Sequence, residues 1–212
     1  MDIHQTEEEQ VEQIKKIWQE YGNAIITGLV LGLGGFIAYG YYNQNKLAEE
    51  MTTSDGYQQV LELAGEGDES FQNKGNEFIK ANPESNYAGL TALALAKDSA
   101  EHKDWAQVEK YLNTAIEKTN DKGIKALATL RLAKVQVQTE QYDAAIATLS
   151  ATLPESYKAS IEEIKGDAYL KQGNQDKARA AYQAAIDASG QAGNPVLQMK
   201  LDDLAETVVL TK

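Results

Sequence analysis

The chain is predicted to be all-α, with one N-terminal transmembrane helix followed by a right-handed stack of antiparallel helix pairs and a C-terminal capping helix. Three observations carry this prediction. Ala24 to Tyr42, AIITGLVLGLGGFIAYGYY, is an uncharged run about 28 Å long as a helix, enough to cross the hydrocarbon core of a bilayer. Downstream, apolar and small residues recur first with one offset and then with a slightly shorter one. The prolines Pro83, Pro154 and Pro195 fall in apparent connections, and no sustained alternating run bounded by Asn-Gly or Asp-Gly turns suggests a sheet.

Residues 1–23 form an acidic segment in which Asp2, Glu7, Glu8, Glu9, Glu12 and Glu20 face only Lys15 and Lys16. Val11, Ile14, Ile17, Trp18 and Tyr21 recur there at helical spacing, which predicts a short amphipathic helix running into the span. Residues 24–42 then lack the basic start, short apolar stretch and small-x-small site of a cleaved signal, so they are expected to remain as a signal-anchor helix. Tyr39, Tyr41 and Tyr42 suit one membrane interface, and Trp18 and Tyr21 the other. Lys15 and Lys16 before the span outnumber Lys46 close after it, favouring an inside N-terminus. The absence of cysteine agrees with residues 43–212 lying outside the cytoplasm. Within the span, Ala24, Gly28, Gly32 and Gly35 share one face and would let another helix approach closely, whether a second copy or a different protein.

Residues 43–212 are long enough for one helical domain. Tyr57, Val60, Leu61 and Leu63, then Phe71, Phe78 and Ile79, make two apolar stripes expected to be helices leading into the stack. Leu95-Ala96-Lys97 returns as Leu132-Ala133-Lys134, and Trp105, Val108, Leu112 and Ala115 return as Tyr142, Ala145, Leu149 and Thr152. A second shift carries Ala133, Asp143, Ala145 and Leu149 to Gly166, Asp176, Ala178 and Tyr182, which makes three helix pairs. In the last pair Gly166, Tyr169, Ala178, Tyr182 and Ala185 fall at the spacings of the tetratricopeptide pattern, whose period is about 34 residues. Small Gly166 and Ala178 let the two helices approach, and Tyr169 and Tyr182 fill the space beside them. The turn Gln172-Gly173-Asn174-Gln175-Asp176 offers glycine to end one helix and Asn174 or Asp176 to cap the next. The second repeat has Gln136 where the aromatic should be, and the first has Val108 at a small position. Asn194-Pro195 reads as N-cap and first residue of a closing helix lined by Val196, Leu197, Leu201 and Leu204.

In such stacks the first helix of each pair lines the concave wall. This register directs Leu90, Leu93 and Lys97, then Leu127, Leu130, Lys134, Val137 and Gln138, then Asp167, Leu170 and Lys171, into a groove suited to an extended or helical peptide. The alternative is that the chain's own helices bury these leucines. Nothing specifies catalysis. His4 and His102 are the only histidines, and with no cysteine, HExxH or DxDxDG-type loop no metal site is indicated. No GxSxG, phosphate loop or dinucleotide fingerprint occurs, so no cofactor or small-molecule substrate is expected. Two of the 20 basic and six of the 32 acidic side chains precede the span, leaving 18 against 26, a net of −8, in residues 43–212. That surface disfavours nucleic acid and offers no polybasic patch for anionic lipid.

The anchor, Phe78-Ile79-Lys80-Ala81-Asn82-Pro83-Glu84-Ser85-Asn86-Tyr87-Ala88, Leu130-Arg131-Leu132-Ala133-Lys134-Val135-Gln136, Gly166-Asp167 and Gln198-Met199-Lys200-Leu201 together resemble the YfgM family of tetratricopeptide-like inner-membrane proteins of Gram-negative bacteria. The likeness runs the whole chain. It implies a bitopic ancillary subunit of the Sec translocon (SecYEG), its repeat domain periplasmic and associated with the membrane-anchored periplasmic chaperone PpiD. It further implies a non-catalytic adaptor that helps exported chains pass to periplasmic folding factors, with no catalytic residue to carry over. Two other readings stay open: a stress-response regulator acting through its cytoplasmic acidic segment, and a direct periplasmic holdase.

Overall fold

The computed structural model describes residues 7–64, 69–190 and 194–204; His4 and Asp2, singled out in the sequence, lie outside them. Two compact units result, Met1–Thr52 and Thr53–Lys212.

Among the described residues the first unit holds only helix α1, which extends over Glu7–Glu62, so that its last turns fall within the second unit. The helical extension predicted before the span is present, since Val11 to Tyr21 already belong to α1. The apolar side chains between Ala24 and Tyr42 are exposed, and α1 is long and apolar enough to cross a membrane. Beyond the helix's own backbone, no described residue comes within 4 Å of where a Cβ would stand on Gly28, Gly32, Gly34 or Gly35. Thr27 Oγ1 donates to the Asn23 carbonyl at 2.7 Å, so even its hydroxyl is satisfied inside the helix. The stripe at Tyr57 to Leu63, expected as a separate helix, is instead the end of α1. No proline or helix-ending glycine motif interrupts the intervening sequence, and Gly56 is helical.

The second unit continues with α2 (Glu69–Ala81), α3 (Asn86–Glu101), α4 (Trp105–Lys118), α5 (Lys122–Gln138), α6 (Tyr142–Thr148), a short 3₁₀ turn (Glu155–Tyr157), α7 (Lys158–Lys171), α8 (Gln175–Ser189) and α9 (Pro195–Asp202). The three predicted pairs are α3–α4, α5–α6 and α7–α8. The starts of α4, α5, α8 and α9 are capped by short polar side chains, whereas α6 and α7 begin without one. Asp104 accepts from the Gln107 amide at 3.1 Å, Asp121 from Gly123 and Ile124 at 2.8 Å, Asn174 from Lys177 at 3.2 Å and Asn194 from Val196 at 3.0 Å. Each cap contributes about 1 kcal/mol.

The bend inside every pair is built the same way. Lys103 (φ 59°), Glu140 (φ 62°) and Gly173 (φ 78°) each sit in the left-handed region at the corner. The amide after the corner reaches five residues back, Asp104 to Ser99 at 2.9 Å, Gln141 to Gln136 at 2.7 Å and Asn174 to Tyr169 at 2.9 Å. This is the Schellman arrangement, which satisfies carbonyls that a helix end would leave unpaired. Side chains tie each later corner to the helix of the pair before it, Gln141 Nε2 to Glu109 Oε1 of α4 and Gln172 Nε2 to Asp143 Oδ1 of α6, both at 2.8 Å.

Among the described residues, three apolar clusters fill the stack. The first joins Val60 and α2 to α3, α4 and the Ala128/Leu132 face of α5. The second holds the Leu130/Ala133 face of α5 with Ala145, Leu149 and Ile164. The third holds Ala178, Tyr182 and Ala185 of α8 with Leu197 and Leu204. A Cβ on Gly166 would stand 2.4 Å from Cε1 of Tyr182, so only glycine lets α7 and α8 meet with that ring between them. Tyr182 is fully buried, as its tetratricopeptide position predicts.

Candidate functional site

The groove forms where the first helices of the second and third pairs lie side by side. Lys134, Val137 and Gln138 stand on consecutive turns of one face of α5, and Asp167 and Lys171 on one face of α7. These five expected residues line a single cavity of about 500 Å³. Glu140 and Tyr142 at the α5–α6 corner, Glu163 and Ile164 of α7, and Lys200 of α9 complete it.

One end of this cavity is held by a polar knot. Lys200 Nζ donates to Asp167 Oδ1 at 2.7 Å and Oδ2 at 3.0 Å, and to Glu163 Oε1 at 2.9 Å. Tyr182 OH donates to Asp167 Oδ1 at 2.8 Å, and the Lys200 ammonium lies 5.5 Å from the centre of the Tyr182 ring. Burial lowers the affinity of Lys200 for its proton, but the hydrogen bonds to Asp167 and Glu163 outweigh it and hold the ammonium charged above its ordinary range. Burial first, and the Asp167 hydrogen bond second, push the Tyr182 phenol well above its ordinary value, so it stays neutral. The cap helix α9 is thereby pinned to α7.

With Lys200 neutralised by two carboxylates, Lys134 and Lys171 remain as exposed cations without an ion pair among the described residues. Val137 and Tyr142, both half-buried, supply apolar contact beside them. Such a trough offers apolar contact and unpaired positive charge side by side. Among the described residues no group of histidines and carboxylates is arranged to hold a metal ion.

The other predicted wall residues are placed differently. Leu93 and Leu130 are 6% and 7% exposed and belong to the core, because α3 is enclosed by α2, α4 and α5, and α5 by α4, α6 and α7. The expectation that they face a partner is corrected by that packing. Leu90 is half-buried against the first cluster, while Leu127 and Leu170 are partly exposed. Lys97 is exposed and pairs with Glu101 at 3.6 Å. None of these lines the cavity. In the span, Ala24, Gly28, Gly32 and Gly35 lie within α1. Sequence reasoning missed Glu140, Tyr142, Glu163, Ile164 and Lys200 as lining residues. Glu163 was within reach, one helical turn before Asp167, but nothing local announces that Lys200 crosses from α9.

Comparison with known proteins matches residues 15–206 to the family model described as a tetratricopeptide repeat-like domain. A protein of Escherichia coli (strain K12) named ancillary SecYEG translocon subunit is 31% identical over 97% of this chain and 100% of its own length. Proteins with the same name from Haemophilus influenzae and Neisseria gonorrhoeae are 28% and 26% identical, over 93% and 96% of this chain and 97% and 100% of their own lengths. No solved structure matches the chain.

Proposed function

This chain belongs to the tetratricopeptide repeat-like family of ancillary SecYEG translocon subunits, and from that premise we propose that it is a non-catalytic adaptor of the bacterial Sec translocon. Residues 1–23 are cytoplasmic, residues 24–42 cross the inner membrane once, and residues 43–212 form a periplasmic repeat domain. That domain links export to periplasmic chaperones of the PpiD type, while Ala24, Gly28, Gly32 and Gly35 pack laterally against a neighbouring membrane helix.

The observation that carries this reading is the α5–α7 trough, where two repeats of a chain with whole-length likeness to translocon subunits present free lysines beside apolar wall. Lys134 and Lys171 pair with carboxylates of the bound partner, and Val137 and Tyr142 supply apolar contact. Leu127 and Leu170 extend the same surface, and Leu90 and Lys97 prolong it towards the first repeat.

Full-length protein extracted in mild detergent should co-purify with the translocation channel and with a membrane-anchored chaperone. Lys134→Glu combined with Lys171→Glu should lower recovery of the chaperone about ten-fold and leave the channel in place. Unchanged recovery of both would remove the trough from the proposal, and loss of neither channel nor chaperone on deleting the span would remove the membrane contact.

A further inference from the structure

Outside the span, α1 carries an apolar face that no described residue covers. Val11, Ile14, Trp18 and Tyr21 are 50, 66, 56 and 53% exposed, and their spacing of three and four residues places them on one stripe. The same alternation continues through Ile25 and Gly28 to Gly32, so the stripe outside the span and the small-residue face inside it are one seam. From Val11 to Tyr42 this seam is about 47 Å long, against about 30 Å of hydrocarbon. Glu12, Lys15, Lys16 and Glu20 interleave with its first turns, so those turns stand outside the lipid core.

Charge and geometry choose among the occupants. α1 runs without a break from this segment into the span, which sets the segment along the helix axis and off the bilayer surface. Residues 1–23 carry six acidic and two basic side chains, and anionic headgroups repel such a segment. A second copy in parallel would set two of these acidic segments side by side. A different transmembrane helix, with lysine and arginine at its cytoplasmic end as the positive-inside bias supplies, meets the seam with opposite charge. We infer that α1 docks along one continuous seam, from Val11 into the bilayer, against a transmembrane helix of another protein whose cytoplasmic extension is basic. The inference rests on the inside N-terminus of the function proposed above.

The test is photocrosslinking in native membranes with benzoylphenylalanine placed in the full-length protein at Ile14 and Ile25 on the seam, and at Gln19 and Val30 off it. Both seam positions should capture one and the same membrane polypeptide, on a helix with a Lys/Arg-rich cytoplasmic end, at about five-fold the yield of the off-seam positions. Reversing Glu8, Glu9 and Glu12 to Lys should cut the Ile14 yield about five-fold. Lys134→Glu with Lys171→Glu should leave both yields unchanged, which separates this seam from the groove. Adducts to a second copy or only to lipid, equal yields from all four positions, or indifference to the charge reversal would overturn the inference. Gln10→Cys, in a chain with no other cysteine, reads orientation independently: labelling by an impermeant maleimide in intact spheroplasts would overturn the inside N-terminus and the basic-flank assignment with it.

Discussion

Replacing Gly166 by alanine adds one methyl group at the tightest approach in the stack. Its Cβ would meet Cε1 and Cδ1 of Tyr182 at 2.4 and 2.5 Å, where ordinary carbon contacts run about 3.5–4.0 Å. The ring must therefore retreat by about 1 Å, yet it is fully buried and its hydroxyl is held by Asp167 at 2.8 Å. Overpacking of this kind destabilises by about 1–3 kcal/mol, and weakening the phenol hydrogen bond adds about 1 kcal/mol. Helix propensity opposes this by about 1 kcal/mol, because alanine replaces glycine in the interior of α7. The net expectation is a loss of about 2 kcal/mol, or about 4–8 °C in Tm for a unit of this size. Thermal unfolding of full-length protein in mild detergent, followed by circular dichroism, measures it. Tyr182→Leu supplies the control, since Gly166→Ala in that background should lose most of its penalty. A neutral or stabilising Gly166→Ala would show that the ring yields freely and that the α7–α8 approach does not depend on glycine.

Stability should fall as pH rises above about 10. The folded state raises the proton affinities of both Lys200 and Tyr182 above their ordinary 10.5 and 10.0, so their contributions are complete below those values and are lost as pH climbs through the folded pKa values. Tyr182→Phe should flatten that alkaline limb in a pH series of urea midpoints. Lys200→Met, which leaves Glu163 and Asp167 without their cation, should raise amide exchange across α9 about ten-fold while α3 and α4 keep their protection. At the corners, Lys103→Gly should raise stability by about 0.5–1 kcal/mol by relieving a left-handed lysine, and Gly173→Ala should lower it by about 1 kcal/mol; equal and opposite results in denaturant titration would contradict the corner geometry.

Much of this architecture was legible because it is written in local chemistry. Gly173 and Asn174 announce a corner, Asn194-Pro195 a helix start, and Gly166 with Tyr182 a close helix pair, and each does what its residue type requires. Lys103 and Glu140 make the same corner without any residue that favours it, so only the repeat register connects them to Gly173. On α5 and α7 the register brought together Lys134, Val137, Gln138, Asp167 and Lys171, which line one cavity. Leu93 and Leu130 were misplaced because the periodicity of a helix enclosed on several sides does not say which apolar face looks outward. Lys200 was invisible for a different reason: its partners lie 33 and 37 residues away, and no short-range pattern encodes an ion pair across that distance.

Because the apolar interior is divided into three clusters, the repeat unit has no single keystone. The last cluster depends chiefly on α8 and α9, whereas α5 lends one face to the first cluster and another to the second. Under mechanical load or mild denaturant the chain should therefore unzip from its C-terminal layer inward, shedding α9 and α8 while the layers built on α3 to α5 stay assembled. A repeat unit that loosens at its C-terminal layer first keeps its N-terminal layers assembled while the last one breathes.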